Sequence, residues 1–276
     1  MKATSSTCAR PNTDKINVST WEECEAEVTK IEKAYATSHT KLLFRGQRDS
    51  VWPLDTTLER RIPAGISVNN YYDMISRVMP VTSTYFDASW VMPSSDEINA
   101  WCKDYNEFTL ANLPAYDYLA YLRHHGFPSP LLDWSRSLYV AAYFAFANTV
   151  SSEVAIFVFL EQPDNTKHSS SSAPQIHIFG PYVKTHPRHF RQQSRYTVCA
   201  KFESDTAEFR PHQSVFEPGR TDQDLLWKFV VPANERLKVL SRLDEYNLNA
   251  FSLFDSEESL METLAFREID LKGLPP

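Results

Sequence analysis

Residues 137–147 are apolar on every helical face, with Leu138, Val140, Ala141, Ala142, Phe144, Ala145 and Phe146 in close succession. A helix without a polar side is usually central and wrapped by other elements. Elsewhere the patterns are one-sided. Trp21, Val28, Ile31 and Ala34 recur at roughly helical spacing behind a Thr20–Glu23 capping box, which predicts a helix over 20–37. Lys41 to Arg45 reads as a strand stopped by Gly46, and Thr56 to Arg61 as a short helix stopped by Pro63. Helices are expected over 68–79 and 96–108, the second capped by Ser94 with Glu97. Pro114 stands just inside a further helix start, with Tyr116, Leu119, Ala120 and Leu122 as the apolar face and Gly126 as the end. Pro128 and Pro130 impose an extended loop through Leu131.

The second half reads differently. Ala155–Leu160 is a buried-strand run, Gln175–Val183 alternates, and Tyr196–Ala200 and Leu226–Val231 are further strands. Residues 163–174, with Ser169 to Ser172 in a row, read as a flexible loop. Pro232 opens a helix with Leu237, Val239, Leu240 and Leu243, and Leu260–Phe266 forms the last one. Helices gather mainly N-terminally and strands cluster in the second half around the central buried helix. The expectation is one mixed α+β domain over 19–272 behind a flexible tail, 1–18.

Composition narrows the function. With 276 residues, 42% hydrophobic and 13% aromatic, the chain is long enough for a substantial core. The net charge of −7 argues against whole-surface nucleic-acid binding but leaves room for a local basic site. Cys8, Cys24, Cys102 and Cys199 are widely spaced and form no metal pattern, which favours reduced thiols and no metal. Residues 1–17 lack an apolar signal core, and no apolar run reaches the roughly 18 residues of a membrane span. A cytoplasmic protein without a membrane partner is expected.

Three separated segments carry charges or amides beside apolar residues: Phe44-Arg45-Gly46-Gln47, then His124 to Ser135, then Arg188 to Thr197. A charge at a core edge is costly without a partner or a ligand, so the three point to one polar pocket. Only 6 glycines stand against 17 prolines, and Gly46 and Gly126 fall inside these segments. Each either lets a ligand approach the backbone or simply ends an element. Arg45 matches phosphate or carboxylate through a bidentate fork, or else pairs with an internal carboxylate such as Asp133. His124 either faces the site or is a structural helix-end histidine. Asp133 and Ser135 either organise the pocket or cap the following helix. Lys184, His186, Arg188, His189, Arg191 and Arg195 form a basic cluster suited to an anion or a nucleic-acid backbone, or an ordinary solvated face. Gln192 and Gln193 could hydrogen-bond a base, an amide or loop backbone. Glu258 and Glu262 share a helix face and are candidate carboxylates. No P-loop, GxSxG or HExxH occurs.

The FRGQ tetrapeptide at 44–47 resembles the signature of the FRG domain family. Leu119 to Ala147 (LAYLRHHGFPSPLLDWSRSLYVAAYFAFA) resembles that family's central block, and Arg188 to Thr197 its third, with Ser194 where Gly is usual and Tyr196 where Phe is usual. Pro130 replaces an Arg found in many relatives. A weaker similarity is to NAD-using ADP-ribosyltransferases, in which an aromatic-Arg-Gly strand end holds the dinucleotide phosphates. Arg45 fits that element, Ser135 fits a Ser/Thr segment loosely, and Glu258 or Glu262 would have to supply the late carboxylate.

This resemblance implies binding of a nucleotide or another anionic small molecule, with NAD as a substrate rather than a resident cofactor. It implies a toxin or phage-defence effector, Arg45, Arg188 and Arg191 on phosphate, Gly46, Gln47, Ser135 and Gln193 around the ligand, and His124, Asp133 and Glu262 in the chemistry. The alternative is a non-catalytic nucleic-acid or protein module working through 184–195, and no particular protein partner is indicated.

Overall fold

The computed structural model describes residues 9–12, 15–36, 41–86, 89–103, 112–161, 173–180, 188–203, 206–216 and 223–273. In chain order the elements are β1 (Ile16–Asn17), α1 (Trp21–Ala34), β2 (Leu43–Gln47), α2 (Thr57–Arg61), β3 (Ile66–Ser67), α3 (Val68–Phe86), α4 (Ser95–Lys103) and α5 (Tyr116–His124). They continue with β4 (Leu132–Ser135), α6 (Leu138–Phe146), β5 (Glu153–Leu160), β6 (Gln175–Phe179), α7 (Arg188–Arg191), β7 (Ser194–Glu203) and β8 (Thr206–Phe209). The last are β9 (Leu225–Pro232), α8 (Arg236–Glu245), α9 (Ala250–Phe254) and α10 (Glu257–Ala265), which runs into a π-helical turn, Phe266–Asp270. The mixed α+β expectation holds.

One sheet runs in the order β1-β9-β5-β2-β4-β7-β8-β3, with β6 added to β7. Only β1 against β9 is parallel among these pairs. The described part of the segment expected as a tail, residues 9–12 and 15–18, has ties to this sheet: Asn12 exchanges bonds with Leu226, and Ala9 O accepts from Trp227 Nε1 at 3.0 Å. Among the described residues no helix is long and apolar enough to cross a membrane.

Helix α6 is the central element. Ser137 caps it, its hydroxyl accepting from Val140 N at 3.3 Å, and six of its nine residues are buried. It lies on β2, with α1, α8 and α9 completing this core. Gly46 makes the approach feasible: a Cβ there would stand 1.9 Å from Ala141 O. So Gly46 does not end the strand but sits within it, where a helix backbone presses on it. Gly126 does follow a helix end, at φ +82, the left-handed position glycine tolerates best. A second core packs α3, α4 and α5 against β7 and β8, and a third lies on the face of β2 opposite α6, with Leu43, Trp134 and Phe157.

Several boundaries differ from expectation. Helix α3 runs through Pro80 to Phe86, and just past the proline the Thr82 and Thr84 hydroxyls donate to Met79 O and Pro80 O at 2.9 and 2.8 Å. Pro114 precedes Ala115, whose left-handed φ of 49° starts α5, so the proline lies outside the helix. Pro232 both ends β9 and caps a 3-10 turn, Ala233–Glu235, that leads directly into α8, so the helix expected after it holds. The extended loop through Leu131 holds, and strand β4, which the sequence pattern did not predict, follows it from Leu132. The ends of the helix expected over 96–108 and of the strand over 175–183, and most of the serine-rich loop, lie outside the described residues.

Candidate ligand-binding cleft

Strands β2 and β4 are registered to each other only through Phe44 and Ser135. Beyond that pair the two strands part, and a cleft of ≈ 500 Å³ is lined by the ends of both. Phe44 and Gly46 face α6, so by strand alternation Arg45 and Gln47 point to the other face. Arg45 reaches back across the gap, its Nη1 donating to Asp133 O at 2.8 Å. Its Nε is buried without a hydrogen-bond partner. Gln47, 4% exposed, donates to Pro53 O at 3.0 Å and leaves Oε1 buried and unpartnered.

The carboxylate expected to neutralise Arg45 is committed elsewhere. Asp133 ion-pairs with Arg123, so Arg45 makes a hydrogen bond to the aspartate backbone and no ion pair among the described residues. Burial pulls the Arg45 guanidinium down to about 10, against the attraction of Asp133, so it stays charged at neutral pH. Arg45, Arg48, Arg60 and Arg123 line the cleft against two carboxylates, Asp133 and Glu262. A cationic hollow in a chain of net charge −7 suits an anion. Phe44, Trp52, Tyr143, Phe144 and Phe254 add flat apolar walls.

One wall holds a His–His–Tyr cluster in which His189 and Tyr196 are buried and His124 half-buried. His124 Nε2 lies 2.8 Å from His189 Nε2 and 2.9 Å from the Tyr196 hydroxyl, which lies 3.0 Å from His189 Nδ1. Two ring nitrogens at that distance share one proton, so one ring donates and the other accepts. Burial, then the neighbouring His189, lowers His124 to about 4, so the His124 imidazole is neutral at pH 7. Beneath Arg45, His212 is fully buried against Thr197 at 2.8 Å, and burial followed by the Arg45 charge lowers it to about 3.

The structure brings Arg45, Gly46, Gln47, His124, Asp133, Ser135 and Glu262 to one cleft. Neither Asp133 nor Ser135 caps α6. The Ser135 hydroxyl donates to Gln192 O at 2.8 Å and accepts from Ser137 N at 3.0 Å. Glu262, exposed on α10, accepts from the Tyr143 hydroxyl at 3.3 Å. Glu258 does not line the cleft.

The third segment delivers a different residue from the one expected. Gln192 lines the cleft, whereas Gln193, at φ 49°, does not. Arg188 lies over the Phe254 ring at 5.5 Å, and Arg191 pairs with Asp255 at 2.7 Å, so neither lines it. His189 is 1% exposed and cannot serve a solvated basic face. Lys184 and His186 lie outside the described residues. Sequence reasoning missed Arg60, Arg123, Tyr143 and Tyr196. The one signal for Arg123 was its place beside His124 at the end of α5.

No group of three or more potential metal ligands occurs among the described residues. No curated protein and no solved structure matches the chain. Residues 40–153 match the family model of the FRG domain, a span that includes β2, α5, β4 and α6 and with them most of the cleft. The chain therefore carries an FRG domain.

Proposed function

We propose that the cleft binds a nucleotide diphosphate, with NAD as the substrate, and that the chain transfers its ADP-ribose unit. One observation carries this reading: Arg45 keeps a charged guanidinium at the cleft with a buried, unpartnered Nε, while the nearest carboxylate is taken by Arg123. A pyrophosphate would supply the missing acceptor, with Arg123 and Arg60 as further cations. Gln47 Oε1 would accept from a ribose hydroxyl or an amide, and the aromatic walls would stack against a base.

In the transfer step the C–N bond between ribose and nicotinamide breaks. Nicotinamide leaves with the bond pair, and an acceptor nucleophile bonds to the ribose carbon and loses its proton. Glu262 would stabilise the positive charge on the ribose, held by the Tyr143 hydroxyl. His124 belongs to the wall, where its contacts with His189 and the Tyr196 hydroxyl tie α5 to β7. A toxin or phage-defence role goes with this transfer reading.

The test is release of nicotinamide from NAD in the presence of mixed cell macromolecules, and label transfer to them. Both are expected from the wild type and are expected to fall at least a hundredfold in Glu262→Gln with NAD affinity kept. Binding without release would leave a nucleotide-binding domain and refute the transferase part. The basic-segment alternative loses support from the burial of His189 and the Arg191–Asp255 pair.

A further inference from the structure

We infer that a single-stranded nucleic acid lies across the rim formed by Arg48, Trp52, Arg60 and Arg61, next to the cleft; the inference rests on the nucleotide reading above and names its macromolecular partner. Arg60 lines two hollows at once. One is the cleft, and the other is a groove of ≈ 700 Å³ that it shares with Thr57, Arg61, Met74 and Phe127. The two meet at Arg60, so a chain lying in the groove reaches the cleft mouth.

The rim is cationic and uncompensated. Arg48, Arg60 and Arg61 are exposed, and none makes an ion pair among the described residues. The carboxylates around them are occupied or weakened. Asp49 accepts from Val51 N at 3.0 Å, and Glu59 accepts from Thr56 N at 2.7 Å. Burial raises Glu59 to about 7 and also raises Asp55, which lies near Arg60. A helix end attracts cations to its last turn, which accounts for Arg60 and Arg61 being tolerated there but not for Arg48.

Aromatic surface accompanies the charge. The Arg48 guanidinium stands 5.7 Å from the centre of the Trp52 ring, and Trp52 itself lines the cleft. Arginines that follow a backbone and a ring on which an unpaired base can stack are the ingredients of single-strand binding. A duplex hides its base faces, and an acidic peptide would engage the arginines without using the ring. This surface is distinct from the 188–195 segment, whose Arg191 is already paired.

Fluorescence anisotropy with short labelled single-stranded DNA and RNA tests the inference on the full chain. Three phosphate contacts predict a slope of log affinity on log salt of about −2, at roughly 0.7 per contact. Arg61→Ala and Arg48→Ala should each reduce that slope by about 0.7. Trp52→Leu, which keeps an apolar side chain but removes the ring, should weaken binding by about fivefold or more. Arg45→Ala should keep oligonucleotide binding while losing NAD, which separates failure of the rim from failure of the cleft. Circular dichroism confirms folding, and Arg61→Lys should restore the slope. Absence of oligonucleotide binding, equal affinity for duplex, or equal competition by polyglutamate would each overturn the inference.

Discussion

Replacing Gly46 with alanine should do more damage than one methyl group ordinarily does. Its Cβ would stand 1.9 Å from Ala141 O, 2.7 Å from Ala145 N and 2.9 Å from Ala141 C. A carbon–oxygen contact needs roughly 3.3 Å. All three opposing atoms are backbone, so no rotamer change relieves the clash. Helix α6 would have to retreat by about 1 Å or more, and its far side is packed against Trp21, Val239 and Leu240. Overpacking a tight core costs about 1–3 kcal/mol, and a clash against backbone belongs at the top of that range.

Gly65→Ala is the matched control. That glycine has φ +82 and open space around its missing side chain, so only the left-handed backbone is penalised, by about 1–2 kcal/mol. Equilibrium urea unfolding should show a lower midpoint for both with an unchanged slope, and the larger loss for Gly46→Ala. A Gly46→Ala protein within about 0.5 kcal/mol of wild type would refute the close contact between α6 and β2.

Asp133→Asn removes the counter-ion of Arg123 beside Arg45; stability should fall by about 2–3 kcal/mol in thermal or urea unfolding. The same variant should bind pyrophosphate more tightly in titration calorimetry, because the carboxylate no longer competes for the cations. The lowered His124 and His212 bind protons more readily in the unfolded chain, so stability should fall as pH drops from about 6.5 towards 4, and His212→Asn should flatten that limb. Glu59 behaves oppositely: burial raises it to about 7, so its contribution is full below about 4.5 and is lost as pH rises through 7. Glu59→Gln, which keeps an acceptor for Thr56 N, should remove that neutral-side decline in a series of melts across pH.

Local signals told most where one element settles its own fate. The all-apolar run gave α6, and the Ser94–Glu97 and Thr20 caps appear at α4 and α1. The FRGQ strand and the Asp133 segment were legible as one polar site, because each sets charge against apolar neighbours. What stayed hidden depends on pairing or on very short elements. Strand β4 has four residues, too few for alternation to show, and two prolines just before it read as loop. His189 sits in the four-residue α7, where burial of His189 and 73% exposure of Phe190 reverse the usual preference. Arg60 joins the cleft only through the arrangement of α2 beside the sheet, which no periodicity encodes. Pairing of Asp133 with Arg123 rather than Arg45 likewise required the register.

Titration calorimetry of pyrophosphate, ADP-ribose and NAD against wild type and Arg45→Met addresses the ligand-binding claim most directly, with circular dichroism to verify folding. The wild type should bind all three, and the variant should lose about ten- to a hundredfold in affinity, the worth of charged hydrogen bonds of about 1.5–3 kcal/mol. A wild type that binds none of them, or a folded Arg45→Met that binds them equally well, would contradict an anion site at the parting of β2 and β4.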